Sequence, residues 1–387
     1  MIHNRRQATW KGRLLLFIFA GVLLYLTYFC LHLLMRQTHP EVPLTEIYQV
    51  KSDLDYDLMH TLIEKRTQNS EVIYPIALVV GGSGFLGASM IDILLEEKLQ
   101  VIAFDDQEIH PNRDWFVTKN GRLVPLVTHV LGKVERFEDF FLIPDVDVRY
   151  VVFAAGIPAY PNRGNVLSED EYNAVHVEGA RNLMKFLEER SMRPRRVLFY
   201  SSLDVYGPFA KSFLPVRSVH SKQPISNWAR SLLNMERVVT QMASQDLPIA
   251  ILRLATPYGP KQSVETGLVA RMVDSALRNE DIELFVSPDF SRDFVYVTDV
   301  SEMSMMIMKG RYSHITEYNM GSGVQTTLRA VAEQVIRLTG SSSKIVHNSE
   351  ILEIPYQQAR LDEGDERVPL TNGLELYTDY VKAGRRA

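Results

Sequence analysis

A loop with three evenly spaced glycines joins a predicted strand, residues 76–82, to a predicted helix that begins at Ala88. Its G-x-x-G-x-x-G spacing permits a tight turn, a close approach of backbone amides to a pyrophosphate, and close packing of the helix on the strand. The amino end of the helix adds the positive end of its dipole. The loop residues predicted to bind such a ligand are Gly81, Gly84, Phe85, Leu86 and Gly87.

Two carboxylates end the next predicted strand, residues 100–106. Asp105 lies 18 residues after Gly87, where a carboxylate can accept hydrogen bonds from both hydroxyls of a ribose. Asp106 adds a second negative charge with no arginine beside it, which would repel a 2′-phosphate. Together with the glycine loop, this pair predicts a dinucleotide site that prefers NAD over NADP. A glycine turn with a purely structural role is the alternative.

Short apolar runs alternate with helical patterns through most of the chain. The predicted strands are residues 76–82, 100–106, 148–156, 195–202 and 248–254, and the predicted helices are residues 88–97, 178–190 and 229–244. The runs are continuously apolar and rich in valine and isoleucine, which is typical of buried parallel strands. This alternation predicts an α/β fold with a parallel sheet covered on both faces and a ligand crevice at the carboxyl ends of the strands.

Seven segments occur in the order seen in a known family. They are VVGGSGFLG (79–87), VVFAAG (151–156), VEGARNL (177–183), FYSSLDVYG (199–207), LRLATPYGP (252–260), RDFVYVTDV (292–300) and YNMGSG (318–323). In these segments the chain resembles the extended short-chain dehydrogenases/reductases of the nucleotide-sugar epimerase/dehydratase type. The resemblance implies a Rossmann-type, doubly wound sheet with a smaller C-terminal substrate lobe, bound NAD, and a nucleotide sugar as substrate. Such enzymes oxidise a sugar carbon and then epimerise, dehydrate or decarboxylate the keto intermediate.

The resemblance also assigns roles to individual residues. Ser202, four residues before Tyr206, matches the catalytic serine or threonine that hydrogen-bonds the reacting sugar hydroxyl. Arg292 matches the arginine that binds the substrate diphosphate, and Thr256 replaces a substrate-contacting asparagine. A structural role for Ser202 or a local salt bridge for Arg292 are the alternatives. The small residues that match those lining the nicotinamide side of the cofactor are Ala154, Ala155 and Gly156.

The chain departs from the family at its proton-transfer motif, Tyr-x-x-x-Lys. In SNWARSLLNMERVV (226–239), Ser231 and Glu236 fix the register and place Trp228 at the tyrosine position and Leu232 at the lysine position. No tyrosine occurs in residues 207–257, so a shift of register does not restore the motif. In the family, a tyrosinate removes the hydroxyl proton, and the lysine ammonium lowers the pKa of that tyrosine. An indole N–H only donates, and leucine carries no charge.

Two hypotheses follow from this departure. The first is a pseudoenzyme that binds NAD or a nucleotide sugar and acts as a sensor, scaffold or partner subunit. The second is an active nucleotide-sugar epimerase, dehydratase or decarboxylase in which His176, His220 or Lys222 serves as a substitute base. A different substrate class, such as a steroid or flavonoid, is a further alternative.

The helices predicted at 178–190 and 229–244 resemble the pair through which the family dimerises, which implies a homodimer or a heterodimer with an active relative. Apolar residues of the second helix are available for that contact or for ordinary packing against the sheet. They are Leu232, Leu233, Met235, Val238 and Val239.

Composition excludes several other classes of protein. The 387 residues are 46% apolar and 23% charged, with 42 basic and 47 acidic residues and a net charge of −5. These values are unlike those of a disordered tail, a fibre or a basic nucleic-acid binder, so no nucleic-acid partner is predicted. Cys30 is the single cysteine, which excludes an intramolecular disulfide and a cysteine-based metal site.

An uncharged stretch of 22 residues, 14–35, separates Arg13 from Arg36. At about 1.5 Å per residue it matches a hydrocarbon core of roughly 30 Å, and it predicts a transmembrane helix. A cleaved secretory signal would need a small-residue cleavage site, which CLHLLMRQTHP does not offer. Four basic residues precede the span and two follow it, which predicts a type II protein with a cytoplasmic N-terminus. In a eukaryote this topology is consistent with the Golgi or the endoplasmic reticulum.

The segments together predict five regions. They are an N-terminal tail (1–13), a transmembrane helix (14–35), a polar stem (37–74), an NAD-binding Rossmann domain (75–258) and a region that is mainly the C-terminal substrate lobe, with strands that return to the Rossmann sheet (259–387).

Overall fold

The computed structural model describes residues 75–108, 116–119, 122–159, 167–207, 216–310, 313–348 and 368–384. The predicted membrane span, 14–35, and the predicted stem, 37–74, lie outside these residues, so both stay predictions. Within the described ranges, no helix combines the length and the apolar character that a membrane span requires.

Within the described residues, seven parallel strands form the main sheet. They are β1 (Ile76–Val80), β2 (Gln100–Asp105), β5 (Val127–Leu131), β6 (Val148–Phe153), β7 (Arg196–Ser202), β8 (Ile249–Leu254) and β12 (Ile315–Met320). Their order across the sheet is β12-β8-β7-β6-β1-β2-β5. An antiparallel hairpin, β3 (Phe116–Lys119) with β4 (Arg122–Pro125), lies in the chain between β2 and β5. The order around β1 is that of a doubly wound sheet, in which the carboxyl ends of the strands form one edge.

Helices cover both faces of this sheet. The helices are α1 (Phe85–Glu96), α2 (Glu169–Asn173), α3 (Gly179–Glu189), α4 (Asn227–Met242), α5 (Leu268–Leu277), α6 (Val297–Lys309), α7 (Leu328–Thr339) and α8 (Leu370–Gly384). Leu78 and Val80 of β1 pack in one buried cluster with α3 and α4. Ala77 and Val79 point the other way and pack in a second cluster with α1 and α6. The alternation follows from the two-residue repeat of a strand.

A third buried cluster belongs to a smaller lobe built around Tyr258, Phe294 and Tyr296. Its strands are β9 (Thr256–Tyr258), β10 (Ile282–Leu284), β11 (Ser291–Tyr296), β13 (Gln325–Thr327) and β14 (Ile345–His347). The first, third and fourth of these form a three-stranded sheet, and the other two pair with each other. Helices α5, α7 and α8 contribute side chains to the same cluster.

All five predicted strands and all three predicted helices are present, with ends that differ by a few residues. No position was predicted for strands β5 and β12 of the main sheet or for helix α6, although strands from region 259–387 were expected to return to this sheet. On α4, Leu232, Leu233, Met235 and Val239 are buried within the chain's own core, and Val238 is partly buried against it. These side chains therefore pack on the sheet. Of the two roles that the sequence allowed, this is packing within the chain and not contact with a partner.

Candidate functional site

The glycine loop between β1 and α1 has the close backbone contacts that its spacing predicts. Gly81 has a φ of +86°, and a Cβ there would lie 2.3 Å from the backbone nitrogen of Ala155. A Cβ on Gly87 would lie 2.0 Å from the carbonyl oxygen of Gly81. Neither position has room for a side chain, because helix, loop and neighbouring strand meet there. The loop thus has the shape that a pyrophosphate site needs.

Helix α1 begins at Gly84 with no hydrogen bond from a capping side chain and no acidic residue in its first turn. Its first amide groups and its dipole therefore meet no negative side chain from the helix itself. An anion at this end is favoured for that reason. Phe85 and Leu86 form the first turn and are partly buried.

Asp105 ends β2 beside this loop. Its Oδ2 accepts a hydrogen bond from the backbone N–H of Ser83 at 2.9 Å, and its Oδ1 accepts one from Gln107 at 3.0 Å. Burial raises the pKa of this carboxyl above its ordinary value, and the two amide hydrogen bonds oppose that effect. Each oxygen has a further lone pair for a ribose hydroxyl. The neighbouring Asp106 is exposed. These residues fit the adenosine half of a dinucleotide.

Ser202 ends β7 and is 8% exposed. Its Oγ accepts a hydrogen bond from the backbone N–H of Asp204 at 3.1 Å, and so begins the short 3-10 turn Leu203–Tyr206. Ser202 therefore has a local structural role, which the sequence left open as the alternative to a catalytic role. Its hydroxyl also lies at the carboxyl edge of the sheet, where the ligand crevice of this fold is found.

Asp204 is a site residue that sequence reasoning missed. Its carboxyl lies 3.9 Å from Nη1 of Arg292. Burial raises the pKa of Asp204, while the charge of Arg292 and a hydrogen bond with Ser202 lower it. An acidic residue two positions after the predicted serine, at the end of a buried strand, was the signal that would have found it. The structure therefore joins Ser202, Asp204 and Arg292 in one cluster.

Arg292 lies on β11 and Thr256 on β9, which are adjacent parallel strands. The residue next to the arginine, Asp293, is buried and accepts hydrogen bonds from the amides of Ser322 and Gly323 at 2.7 and 2.8 Å. These bonds fix the turn that links β12 to β13. The structure thus places Arg292 at a rigid corner between the sheet edge and the smaller lobe.

Trp228 and Leu232 occupy one face of α4 as the register predicts. The indole Nε1 of Trp228 donates a hydrogen bond to the carbonyl oxygen of Ile157 at 2.9 Å. Leu232 is 6% exposed and belongs to the buried cluster on this side of the sheet, against which Trp228 and Ala155 also pack. Neither side chain offers an atom that can take a proton.

His176 is the most buried of the three proposed substitute bases, at 2% exposure. Its Nε2 lies 3.2 Å from the backbone N–H of Ile157, which can only donate, and its Nδ1 lies 2.7 Å from Oγ of Ser231. The Ser231 hydroxyl donates to the carbonyl of Trp228 at 2.7 Å. These partners assign the neutral tautomer with hydrogen on Nδ1. Burial lowers the pKa of His176 to about 4.

The folded chain should lose stability in acid because of His176. Its pKa lies at about 4 in the folded chain against 6.5 ordinarily, so the unfolded chain binds more protons between these values. The free energy of unfolding should therefore fall as pH drops from 6.5 towards 4, by up to about 3 kcal/mol from this group. Urea unfolding at several pH values measures the slope. His176→Gln should show a shallower slope, and equal slopes would refute the assignment.

The other two candidate bases have partners of their own. Nδ1 of His220 accepts a hydrogen bond from the backbone N–H of Arg217 at 3.1 Å. Nζ of Lys222 lies 3.6 Å from a carboxylate oxygen of Glu317. A protonated lysine in an ion pair has no lone pair with which to accept a proton.

Arg253 stands at the centre of a buried polar network behind the site. The side chain is fully buried and makes two bonds of 2.8 Å to the carboxylate of Glu236 and one of 2.6 Å to Glu317. It also donates to the hydroxyl of Tyr206 at 3.0 Å, and Glu236 accepts a bond of 2.6 Å from Ser201. An arginine inside the apolar run PIAILRL was the sequence signal for a buried acidic partner. The network fixes the strand that ends in Ser202.

The parallel sheet, the glycine loop and the carboxylate after β2 define a Rossmann-type dinucleotide fold. The chain belongs to the NAD dependent epimerase/dehydratase family, whose model matches residues 77–321. The family prediction is thereby confirmed.

Two relatives are named as decarboxylases. The UDP-N-acetyl-alpha-D-glucosaminuronate decarboxylase of Bacillus cytotoxicus is 26% identical over 306 residues, which cover 76% of this chain and 87% of that protein. The UDP-glucuronic acid decarboxylase 5 of Arabidopsis thaliana is 25% identical over 284 residues, which cover 69% and 76%.

Solved structures agree with the fold. The UDP-glucose 4-epimerase of Thermotoga maritima with UDP-glucose has a TM-score of 0.65 and 24% identity, and it covers 80% of this chain and 99% of its own. The UDP-glucuronic acid 4-epimerase of Bacillus cereus with UDP-glucuronic acid and NAD has a TM-score of 0.65, 19% identity and the same coverage. The cofactor prediction agrees with the family's description and with this second structure.

Proposed function

We propose that this protein is a membrane-anchored, NAD-binding and nucleotide-sugar-binding member of its family that lacks efficient sugar oxidation. It would serve as a sensor, a scaffold or a partner subunit of an active relative. The observation that carries the proposal is the hydrogen bond from the indole of Trp228 to Ile157, at the position where the family has its tyrosine base. The buried Leu232 stands at the position of the family's lysine, so the cation that would lower the pKa of a tyrosine is absent at that position.

The glycine loop, the amino end of α1 and Asp105 would hold the cofactor. The loop would contact the pyrophosphate, Asp105 would accept from the ribose hydroxyls, and Ala154, Ala155 and Gly156 would line the nicotinamide side. When bound, NAD supplies a hydride acceptor. Preference for NAD over NADP is supported by Asp106, which is exposed beside Asp105 and would repel a 2′-phosphate.

Arg292 is the residue proposed to hold the diphosphate of a nucleotide sugar. A guanidinium presents several donors in one plane and suits phosphate oxygens. A UDP-sugar is supported by the relatives, because the names of both decarboxylases refer to UDP-linked uronic acids. Among the described residues, the ion pair of Arg292 with Asp204 is long, at 3.9 Å, and a phosphate could compete for the guanidinium.

The proposed topology is that of a single-pass type II protein held by residues 14–35. The support is the uncharged 22-residue stretch and the excess of basic residues before it. The folded region would then lie on the far side of the membrane from the N-terminus. Pairing with another copy or with an active relative is part of the proposal.

A second candidate function is an active nucleotide-sugar enzyme in which Asp204 is the base. Ser202 Oγ accepts the backbone N–H of Asp204, which places the two side chains close together, and burial raises the pKa of the Asp204 carboxyl. A carboxylate with a raised pKa is a better proton acceptor than an ordinary one. In this candidate, Ser202 contacts the sugar hydroxyl and passes its proton to Asp204.

One experiment separates the two functions. The full-length chain in detergent would be mixed with millimolar NAD and with UDP-, GDP- and dTDP-sugars. We expect NAD to raise the thermal unfolding midpoint, since it binds the folded state. We expect no change at the nicotinamide absorbance band and no product by mass spectrometry.

The variants of this experiment are matched to the two candidates. Asp105→Asn keeps the shape of the side chain but should weaken NAD binding about tenfold, because a charged acceptor is lost. Turnover comparable to that of ordinary family members would refute impaired oxidation. If Asp204→Asn abolished such turnover, the second candidate would replace the first.

A further inference from the structure

The two ends of the proposed dinucleotide site differ in the polar groups that they offer. At the adenosine end, the amides of the glycine loop and the Asp105 carboxylate are polar groups suited to a pyrophosphate and a ribose. At the other end, the segment that follows Gly156 turns its backbone towards protein side chains. This asymmetry bears on which part of a dinucleotide the chain recognises.

The carbonyl groups of residues 157–159 and the N–H of Ile157 are bonded by side chains from α2, α4 and the π-helical turn Ala174–Glu178. Ile157 donates its N–H to His176 and accepts the indole N–H of Trp228. The Tyr172 hydroxyl lies 3.0 Å from the carbonyl oxygen of Ala159 and 3.3 Å from that of Pro158. The rings of Tyr172 and His176 stack, with centroids 5.9 Å apart. This segment is therefore fixed.

In the part of the chain that the structure describes, these hydrogen bonds occupy the donors of the side chains that face residues 157–159 from α4 and from the π-helical turn. The single N–H of Trp228 is bonded to Ile157, and both ring nitrogens of His176 have partners. The Ser231 hydroxyl hydrogen is bonded to the carbonyl of Trp228. Leu232, which replaces the family's lysine, is apolar and buried. Trp228, whose N–H is bonded to Ile157, and Leu232 therefore offer no free hydrogen-bonding group beside Gly156, on the side proposed to line the nicotinamide.

We infer that the site recognises the ADP moiety and its ribose but not the nicotinamide nucleoside, so its ligands are ADP-ribosyl compounds as a class. NAD, NADH and ADP-ribose then bind with similar affinity. The inference rests on the proposed function, because it concerns the same dinucleotide site. The inference goes beyond that function, because it states that neither the oxidation state of the nicotinamide nor the removal of the nicotinamide nucleoside changes the affinity.

Isothermal titration calorimetry of the full-length chain in detergent tests this inference. NAD, NADH and ADP-ribose should have dissociation constants within about threefold of one another, because the nicotinamide nucleoside makes no hydrogen bond with the site. One such hydrogen bond would change the dissociation constant by roughly two- to tenfold. Nicotinamide mononucleotide at millimolar concentration should not bind. NAD binding at least about tenfold tighter than ADP-ribose would overturn the inference and leave the proposed function intact. Binding of none of these ligands would overturn both.

A variant pair extends the test. Trp228→Tyr with Leu232→Lys returns the two polar groups, and it should make NAD bind about tenfold tighter than ADP-ribose. Tyr172→Phe is the matched control, because it removes a hydroxyl from the same segment and leaves positions 228 and 232 unchanged. The control should keep the two affinities similar. A tenfold preference for NAD in Tyr172→Phe would contradict the inference. The ligand comparison on the unaltered chain stands whether or not either variant folds.

Discussion

Replacing Trp228 with tyrosine and Leu232 with lysine should raise the rate of sugar oxidation by at least about 100-fold. The phenol supplies a group that can remove the hydroxyl proton, and the ammonium lowers the pKa of that phenol. The Ser202 hydroxyl, 8% exposed at the end of β7, is already in place. The measurement is NAD reduction at the nicotinamide band with UDP-sugars, using the full-length chain in detergent.

Two further variants show whether such a gain has this origin. Trp228→Phe with Leu232→Met changes the same positions without adding a base or a cation, and it should give no gain. Ser202→Ala within the active variant should remove most of the gain, because it removes the hydroxyl proposed to contact the sugar. Thermal unfolding checks that each variant is folded. An equal rate in the tyrosine–lysine and phenylalanine–methionine variants would show that the lost motif is not what limits oxidation.

Replacing Arg253 with methionine should lower the free energy of unfolding by about 3–5 kcal/mol. The guanidinium is fully buried and bonded to Glu236 and Glu317, so its removal leaves the buried Glu236 carboxylate without its counter-charge. Although burial acts to raise the pKa of Glu317, its hydrogen bond and ion pair with Arg253 lower the pKa overall. Urea unfolding at pH 7 measures the effect.

The matched control uses an ion pair at the surface. Arg230 and Glu169 lie 2.8 Å apart with side chains 39% and 36% exposed, so Arg230→Met should cost less than about 1 kcal/mol. Adding Glu236→Leu to Arg253→Met should restore part of the lost stability, because the unpaired charge is removed. If Arg253→Met cost no more than Arg230→Met, the buried network would not contribute as described.

Much of the main sheet was readable from the sequence because its strands are buried on both faces. Strands β1, β6, β7 and β8 are apolar runs that are rich in β-branched or aromatic residues and too short for a typical helix. In strand β12, ITEYNM, apolar and polar residues alternate, and this strand lies at one edge of the sheet. Strand β5, VTHVL, lies at the opposite edge. Edge strands have one neighbour and less burial, so their composition carries a weaker signal.

The sequence predicted the parts of the candidate site whose residues lie close together in the chain. The glycine loop and Asp105 lie within 25 residues of one another and keep a fixed spacing. The loss of tyrosine and lysine from α4 was equally plain, because Ser231 and Glu236 set the register. Asp204 was not predicted as a site residue, because its ion pair with Arg292 joins positions that are far apart in the chain.

By itself, the sequence determined the family, the dinucleotide loop and the absence of the proton-transfer pair, since each depends on residue type and local spacing. The tertiary structure decided what replaces that pair. Trp228 meets Ile157 across 71 residues and His176 meets Ser231 across 55, and these contacts exist only after the helices pack on the sheet. Burial then holds His176 neutral and leaves Asp204 as the titratable neighbour of Ser202. Local spacing cannot encode burial or long-range partners, and these determine which side chain can take a proton.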